Sequence, residues 1–171
     1  MSGHQSAASD TEVWLTPPEI IRALGQFDLD PCAATPPRPW GCATENYVRA
    51  DNGLMKPWSG RVWLNPPYGG PLVIGPWMRR MVEHNHGTAL IFARTETALF
   101  AECVWARASA ILFIRGRLYF HHANGRRARA NAGAPSCLVA FGEYDAERLD
   151  VCGLPGQFIG LRAPAPAGAV A

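Results

Sequence analysis

Four consecutive residues, Asn65-Pro66-Pro67-Tyr68, carry groups that can hold an aromatic amine. The two prolines have fixed φ angles and no backbone N–H, so they keep the Asn65 and Pro66 carbonyls in a rigid turn outside any strand ladder. The Asn65 side-chain oxygen and the Pro66 carbonyl can accept the two N–H bonds of an exocyclic amine, while Tyr68 stacks on the ring that carries it. The exocyclic amines of adenine and cytosine are groups of this kind.

The elements around this turn predict where it lies in the fold. Val62-Trp63-Leu64 is typical of a short buried strand, and Gly69-Gly70-Pro71 cannot continue it. The turn therefore follows the carboxyl end of a strand, the edge of an open α/β sheet at which ligands bind.

Two further strand ends carry polar side chains. The segment Phe27 to Asp30 alternates apolar residues with aspartates and is ended by Pro31. The apolar run Thr88 to Ala93 is typical of a strand covered on both faces. It is followed by Arg94, Thr95 and Thr97, which we expect on the same edge as Asn65. Thr95 is equally well placed to be a helix N-cap.

Several motifs occur in order along the chain: Trp-x-Thr-Pro from Trp14, Asp-Pro-Cys-Ala from Asp30, Asn-Gly-Leu from Asn52, Asn-Pro-Pro-Tyr from Asn65 and Gly-Arg-Leu-x-Phe from Gly116. In this order the chain resembles the phage-type DNA adenine N6-methyltransferases over about residues 14–142. The resemblance implies S-adenosylmethionine as cofactor, a Rossmann-like methyltransferase fold and direct methyl transfer to a base flipped out of the duplex.

The resemblance also implies roles for single residues. Asn65, Pro66, Pro67 and Tyr68 would be catalytic, and no metal is needed. An acidic residue after the first cofactor motif would contact the cofactor's ribose or adenine, and the spacing favours Asp51 over Glu45. The cofactor-binding residues would be Trp14, Thr16, Pro17, Asp30, Pro31, Cys32, Ala33 and Asp51. One departure is that Cys32, Ala33 and Ala34 replace the glycines usual in wider methyltransferase families.

Charge is distributed unevenly, although the net charge is only +2. No Asp or Glu occurs between Cys103 and Gly142, whereas that segment holds several arginines, as expected of a polyanion-binding face. The connection His121 to Pro135 is a long loop with almost no apolar residues, which indicates a functional segment. The predicted DNA-binding residues are Arg94, Thr95, Thr97, Arg117, Arg126, Arg127 and Arg129.

The order of elements predicts an α/β sandwich with a mainly parallel sheet and an antiparallel hairpin at one edge. The hairpin strands would be Arg117–Phe120 and Ser136–Phe141, and Ala110–Arg115 would be another buried strand. Helices are predicted over residues 17–24, with Thr16 as N-cap, over residues 76–86 and after Thr97. We expect a flexible arm at residues 1–12, one domain at residues 13–160 and a disordered tail at residues 161–171.

Composition narrows the protein class further. No apolar run approaches the roughly 18 residues that a membrane span needs. The five cysteines are an odd number without a Cys-x-x-Cys pair, which argues against a disulfide framework and a structural zinc site and favours a reducing cytoplasm. We expect a cytoplasmic protein of a bacterial host, encoded by a phage or prophage, that is a monomer or weak homodimer and binds DNA.

Two alternatives stay open from the residues alone. One is methylation of cytosine N4 or of a protein glutamine, since these amines present the same N–H pair. The other is a catalytically inactive DNA-binding relative, because the glycines after Asp30 are missing.

Overall fold

The structure, a computed structural model, describes residues 14–161. The predicted arm and the predicted tail lie outside these residues, apart from Leu161. The Leu161 amide donates to the Ser109 carbonyl at 2.9 Å, and its side chain packs against the core.

A seven-stranded sheet with the order β2-β1-β3-β4-β6-β5-β7 is the centre of the described part of the chain. The first four strands are parallel to one another, and β6 lies antiparallel between β4 and β5. β5 therefore runs in the same direction as β4, and β7 is antiparallel to it at the edge. The mixed α/β architecture is confirmed. The strands are β1 (Leu29–Asp30), β2 (Glu45–Asn46), β3 (Val62–Leu64), β4 (Gly87–Phe92), β5 (Ala110–Ile114), β6 (Ser136–Phe141) and β7 (Gly156–Gly160).

The connection of the parallel strands creates a topological switch point. From β1 the chain moves to β2 on one side, then returns to β3 on the other side of β1. Connections that leave in opposite directions open a crevice outside the carboxyl ends of the two inner strands, where ligands bind in such sheets. Asp30 is the last residue of β1 and Asn65 follows β3 directly, so both are at this crevice.

Both faces of the central strands β3, β4 and β6 are buried. Val62 and Leu64 of β3 pack in one core cluster, whereas Trp63 between them packs in the other. This follows from the two-residue period of a strand, and it explains why β3 and most of β4 are apolar without alternation.

The helices are α1 (Pro18–Leu24), α2 (Pro71–His84), α3 (Ala98–Phe100), which continues as a π-helical segment over Ala101–Trp105, and α4 (Glu143–Asp150). None of the helices in residues 14–161 is long and apolar enough to cross a membrane. Helix α4, which buries only Asp145 and Leu149, was not predicted. Such a short helix shows too little apolar periodicity to be recognised.

Two predictions about helix starts were wrong. Pro17 is the N-cap of α1 and no side chain caps that helix, so Thr16 is not its cap. Helix α2 begins at Pro71, with Pro76 inside it. Proline removes the helical bond to the carbonyl four residues earlier, here that of Leu72. Because the Leu72 side chain is 94% exposed, this turn faces solvent, and water can satisfy the carbonyl.

The predicted edge hairpin was also wrong. β6 pairs with β4 and β5, because its six residues are all buried and fit a central position.

Residues 117–120 form no strand. They turn back on the residues that follow: the amides of Ala132, Ala128 and His122 donate to the carbonyls of Leu118, Phe120 and Arg126 at 2.7, 2.8 and 2.9 Å. We call residues 117–132 the arginine hairpin. Its tip is Asn124-Gly125, with Gly125 at φ +82°.

Candidate active site

A cleft lies at the switch point, between the end of β1, the end of β3 and the segment that precedes α1. It brings together five residues that the sequence predicted to be functional: Trp14, Thr16, Asp30, Cys32 and Asn65. The remaining lining residues are Leu15, Ala34, Arg38, Trp40, Gly41 and Cys42. The cleft encloses only about 20 Å³, which is room for roughly one water molecule.

Asp30 supplies a buried carboxyl group to this cleft. The residue is 5% exposed, and its Oδ1 accepts a hydrogen bond from the Cys32 amide at 3.0 Å. Burial raises the pKa of Asp30 to about 7, against the opposing effects of the Cys32 amide and the Arg38 charge. A cation bound beside Asp30 would stabilise the ionised form and lower that pKa.

Asn65 supplies an acceptor without a partner. Its Nδ2 lies 3.4 Å from the Thr16 hydroxyl oxygen, while its Oδ1 is buried and has no hydrogen-bond partner within residues 14–161. The backbone hydrogen bonds found outside the helices and strands of the described chain include none to the Pro66 carbonyl. An unpaired buried acceptor is costly, so the two acceptors are suited to a ligand that donates.

The Tyr68 side chain is held by two aromatic contacts and one hydrogen bond. Its ring centroid is 4.4 Å from that of Phe92 and 6.0 Å from that of Phe120, and its hydroxyl donates to the Leu90 carbonyl at 3.3 Å. Burial raises the pKa of Tyr68 above its usual value, so the phenol stays neutral. These contacts fix the position of the ring at the end of the turn.

A wall that the sequence did not predict closes the cleft. Trp40 Nε1 donates to the Thr16 carbonyl at 3.0 Å, and the Trp40 ring packs edge-on against His121 at 5.2 Å. Leu15 and His121 exchange two backbone hydrogen bonds of 2.8 and 3.0 Å. The Arg38 guanidinium donates to the Ala34 carbonyl. Residues 34–42 carry no motif, so only long-range contacts reveal their position.

The Asn-Gly-Leu motif supports the loop after β1. A Cβ atom on Gly53 would lie 2.2 Å from the Pro31 carbonyl oxygen, so only glycine allows this close approach. Asp51 does not line the cleft. Its carboxylate accepts from the Val48 amide at 2.8 Å and pairs with Lys56 at 3.2 Å, and these bonds hold the pKa of Asp51 below its usual value. The predicted Pro17, Pro31 and Ala33 also stay outside the lining.

The arginine hairpin rises from the same edge as the cleft. β5 runs toward that edge and β6 begins there, and the bonds between Leu15 and His121 attach the hairpin to the cleft wall. Arg127 lies over the Tyr119 ring at 3.9 Å, and Arg117 donates to the Ala132 carbonyl at 3.1 Å. Arg126 and Arg129 are exposed. Positive charge is therefore concentrated beside the cleft.

The residues after β4 divide into two kinds. Arg94 and Thr95 are exposed at the end of the strand. Thr97 is the N-cap of α3, where its hydroxyl accepts from the Phe100 amide at 3.3 Å. The N-cap role considered for Thr95 thus belongs to Thr97.

These features define an α/β protein with a ligand cleft at the topological switch point and a basic hairpin beside it. Residues 3–154 match the family model described as DNA N-6-adenine-methyltransferase (Dam). The chain belongs to this family. The DNA N-6-adenine-methyltransferase of Escherichia phage T1 is 30% identical over 123 residues, which cover 63% of this chain and 50% of that protein. The chain thus spans about half the length of that curated relative. No solved structure matches.

Proposed function

We propose that the protein methylates the N6 amine of adenine in DNA, with S-adenosylmethionine as methyl donor. The observation that carries this proposal is the buried, unpaired Oδ1 of Asn65, which follows β3 and lines the same cleft as the carboxyl of Asp30. Membership of the Dam family supports adenine as the target base. The strand order and the switch point support a Rossmann-like methyltransferase fold.

The residues present fit the cofactor in their chemistry. S-adenosylmethionine, when bound, supplies a methyl group on a positively charged sulfonium. Asp30 would face its cationic methionine end, and Trp14 and Cys32 would line its site. Because the cleft encloses so little space, binding of a ligand of that size requires the residues that line it to rearrange.

The target amine would be held by the turn after β3. The lone pair of an aromatic amine is delocalised into the ring, so the nitrogen is a poor nucleophile. When Asn65 Oδ1 and the Pro66 carbonyl accept both N–H bonds, they favour a pyramidal nitrogen whose lone pair is available. Since Asn65 Oδ1 is buried in this structure, the amine would reach it only after the same rearrangement.

Duplex DNA would bind along the edge that holds the cleft. The exposed arginines of the arginine hairpin, together with Arg94 and Thr95, would contact phosphates, which position the duplex without reading its sequence. The target adenine would leave the stack to reach the cleft. Its ring would then stack on Tyr68.

Transfer of a tritiated methyl group tests the proposal. The purified protein is incubated with labelled S-adenosylmethionine and DNA, and the DNA is digested to nucleosides. We expect label in N6-methyladenine, and much slower labelling in the Asn65→Ala reaction. Label in N4-methylcytosine or in protein would overturn the choice of substrate. No transfer, with DNA binding intact, would favour the inactive DNA-binding relative. Cytoplasmic location and oligomeric state remain predictions.

A further inference from the structure

Thr16 is fixed from two sides, and neither contact is the helix cap that its position next to α1 suggests. The residue is 2% exposed. Its carbonyl accepts from Trp40 Nε1 at 3.0 Å, while its hydroxyl lies 3.4 Å from Asn65 Nδ2. Because the preceding Leu15 is bonded twice to His121, the backbone cannot easily carry this hydroxyl away from Asn65.

In the structure, the contact with Thr16 engages the nitrogen end of the Asn65 amide and leaves the oxygen end free. A side-chain amide has a donor on one side and an acceptor on the other, and a rotation of 180° exchanges them. Here Nδ2 points to the Thr16 oxygen, and Oδ1 is the end without a partner. The opposite orientation would present N–H groups to the N–H groups of the target amine, and the amine would lose its acceptor.

Cys42 lines the same cleft as Thr16. Burial and the Asp30 carboxyl raise the pKa of the Cys42 thiol to about 12, while a hydrogen bond from Thr16 and the charge of Arg38 oppose this rise. A bond that lowers the pKa of a thiol donates to its sulfur. This supports the orientation in the structure, in which the Thr16 hydroxyl oxygen accepts from Asn65 Nδ2 at 3.4 Å.

We propose that Thr16 is a positioning residue, which holds the Asn65 amide so that Oδ1 and not Nδ2 meets the target amine. This role rests on the proposed function of Asn65. It differs from the role in cofactor binding that the sequence resemblance implies for Thr16, because it acts through Asn65 and predicts no change in cofactor affinity.

The first experiment compares Thr16→Val, which removes the hydroxyl at nearly constant volume, with Thr16→Ser, which keeps it. We expect Thr16→Val to lower the single-turnover methylation rate about three- to tenfold, the size of one uncharged hydrogen bond. Thr16→Ser should stay within about twofold of wild type, and the affinity for S-adenosylmethionine measured by calorimetry should not change in either variant. A weakened affinity in Thr16→Val would instead assign Thr16 to cofactor binding and overturn the proposal.

The second experiment combines Thr16→Val with Asn65→Asp. A carboxylate presents an acceptor in either orientation, so it needs no positioning. We expect Thr16→Val to lower the rate by a clearly smaller factor in the Asn65→Asp background than in wild type. Equal factors in the two backgrounds would mean that Thr16 acts only on stability, and would overturn the proposal. Should Thr16→Val fail to fold, Thr16→Ala replaces it in the same cycle.

A third measurement does not depend on activity. In the ¹⁵N-labelled protein, the side-chain amide signal of Asn65 is the one that disappears in Asn65→Asp. We expect its hydrogen exchange to be faster in Thr16→Val than in wild type or Thr16→Ser. Unchanged exchange would contradict the hydrogen bond itself. A wild-type protein that methylates no DNA but shows this difference in exchange would count against the proposed function and leave the contact between Thr16 and Asn65 in place.

Discussion

Asn65 follows the three-residue strand β3. Its Nδ2 lies beside the Thr16 hydroxyl, and its Oδ1 has no hydrogen-bond partner among the described residues. We expect Asn65→Ala to lower the methylation rate constant about a hundredfold or more, because the lost bond strengthens as the amine becomes pyramidal. Asn65→Asp should be milder, since it keeps an acceptor in place. Single-turnover assays on DNA would measure both variants, with cofactor binding as the control. An Asn65→Ala rate near that of wild type would show that the turn does not perform the chemistry.

The raised pKa of the single residue Asp30 predicts that the stability of the protein depends on pH. Its pKa in the folded protein is raised to about 7 from an unfolded value of 3.8, so the folded protein holds the proton more tightly than the unfolded chain. Without cofactor, the contribution of Asp30 to the free energy of unfolding should therefore be highest below about pH 4. It should fall as the pH rises to about 7.

Binding of the cationic cofactor should show the complementary trend, because it favours the ionised carboxylate. We expect its affinity to rise up to about tenfold per pH unit below pH 7 and to level off above it. In Asp30→Asn the affinity should be lower and this slope should be missing. Isothermal titration at several pH values, in buffers of different ionisation enthalpy, would also detect the proton released on binding. No proton release from wild type would separate Asp30 from the cofactor.

At the scale of elements, the arginine hairpin can be tested apart from the cleft. Arg126, Arg127 and Arg129 lie on its returning arm, beyond the Asn124-Gly125 tip. Replacing all three with Ala should weaken DNA binding and reduce the dependence of log K on log salt by roughly one unit per lost phosphate contact. Cofactor affinity should hardly change. Fluorescence anisotropy with labelled duplex at several salt concentrations measures the slope.

A matched control comes from exposed arginines at the opposite edge of the sheet. Arg22 lies in the last turn of α1, before β1, and Arg107 lies just before β5. The double variant Arg22→Ala, Arg107→Ala should leave the salt slope near that of wild type. If both sets of substitutions change the slope equally, the hairpin is only one part of a diffuse positive surface.

At the scale of the whole molecule, one buried ion pair joins elements that are distant in sequence. Arg61 Nε donates to Asp145 Oδ1 at 2.8 Å, and the Thr88 hydroxyl donates to the same oxygen at 3.0 Å. Arg61 Nη1 also donates to the carbonyls of Leu24 and Gln26, both at 2.9 Å. Arg61 and Asp145 are 5% and 0% exposed. The pair thus connects β3, β4, α4 and the end of α1.

Removing one partner of this pair leaves a buried charge without compensation. We expect Asp145→Ala to lower the free energy of unfolding by about 3–5 kcal/mol. Glu147→Ala, an exposed change on the same helix, should alter it by less than about 0.5 kcal/mol. Urea unfolding followed by circular dichroism would measure both. A small loss in Asp145→Ala would mean that water enters and replaces the missing carboxylate.

The sequence by itself determined the features that depend on local chemistry. Apolar runs identified β3, β4, β5 and β6, because a strand buried on both faces must be apolar throughout. The residues that end β1 and β3 identified Asp30 and Asn65, because proline cannot donate to the hydrogen-bond ladder of a central strand and therefore ends it.

Only the tertiary structure decided which segments meet. β6 entered the sheet between β4 and β5, and residues 117–120 turned back on residues 126–132, because pairing depends on burial and on contacts far apart in the chain. The cleft wall at Trp40 and the bond between Thr16 and Asn65 have the same origin. Thr16 and Asn65 are 49 residues apart, and a hydrogen bond between such distant residues leaves no periodicity or spacing in the sequence.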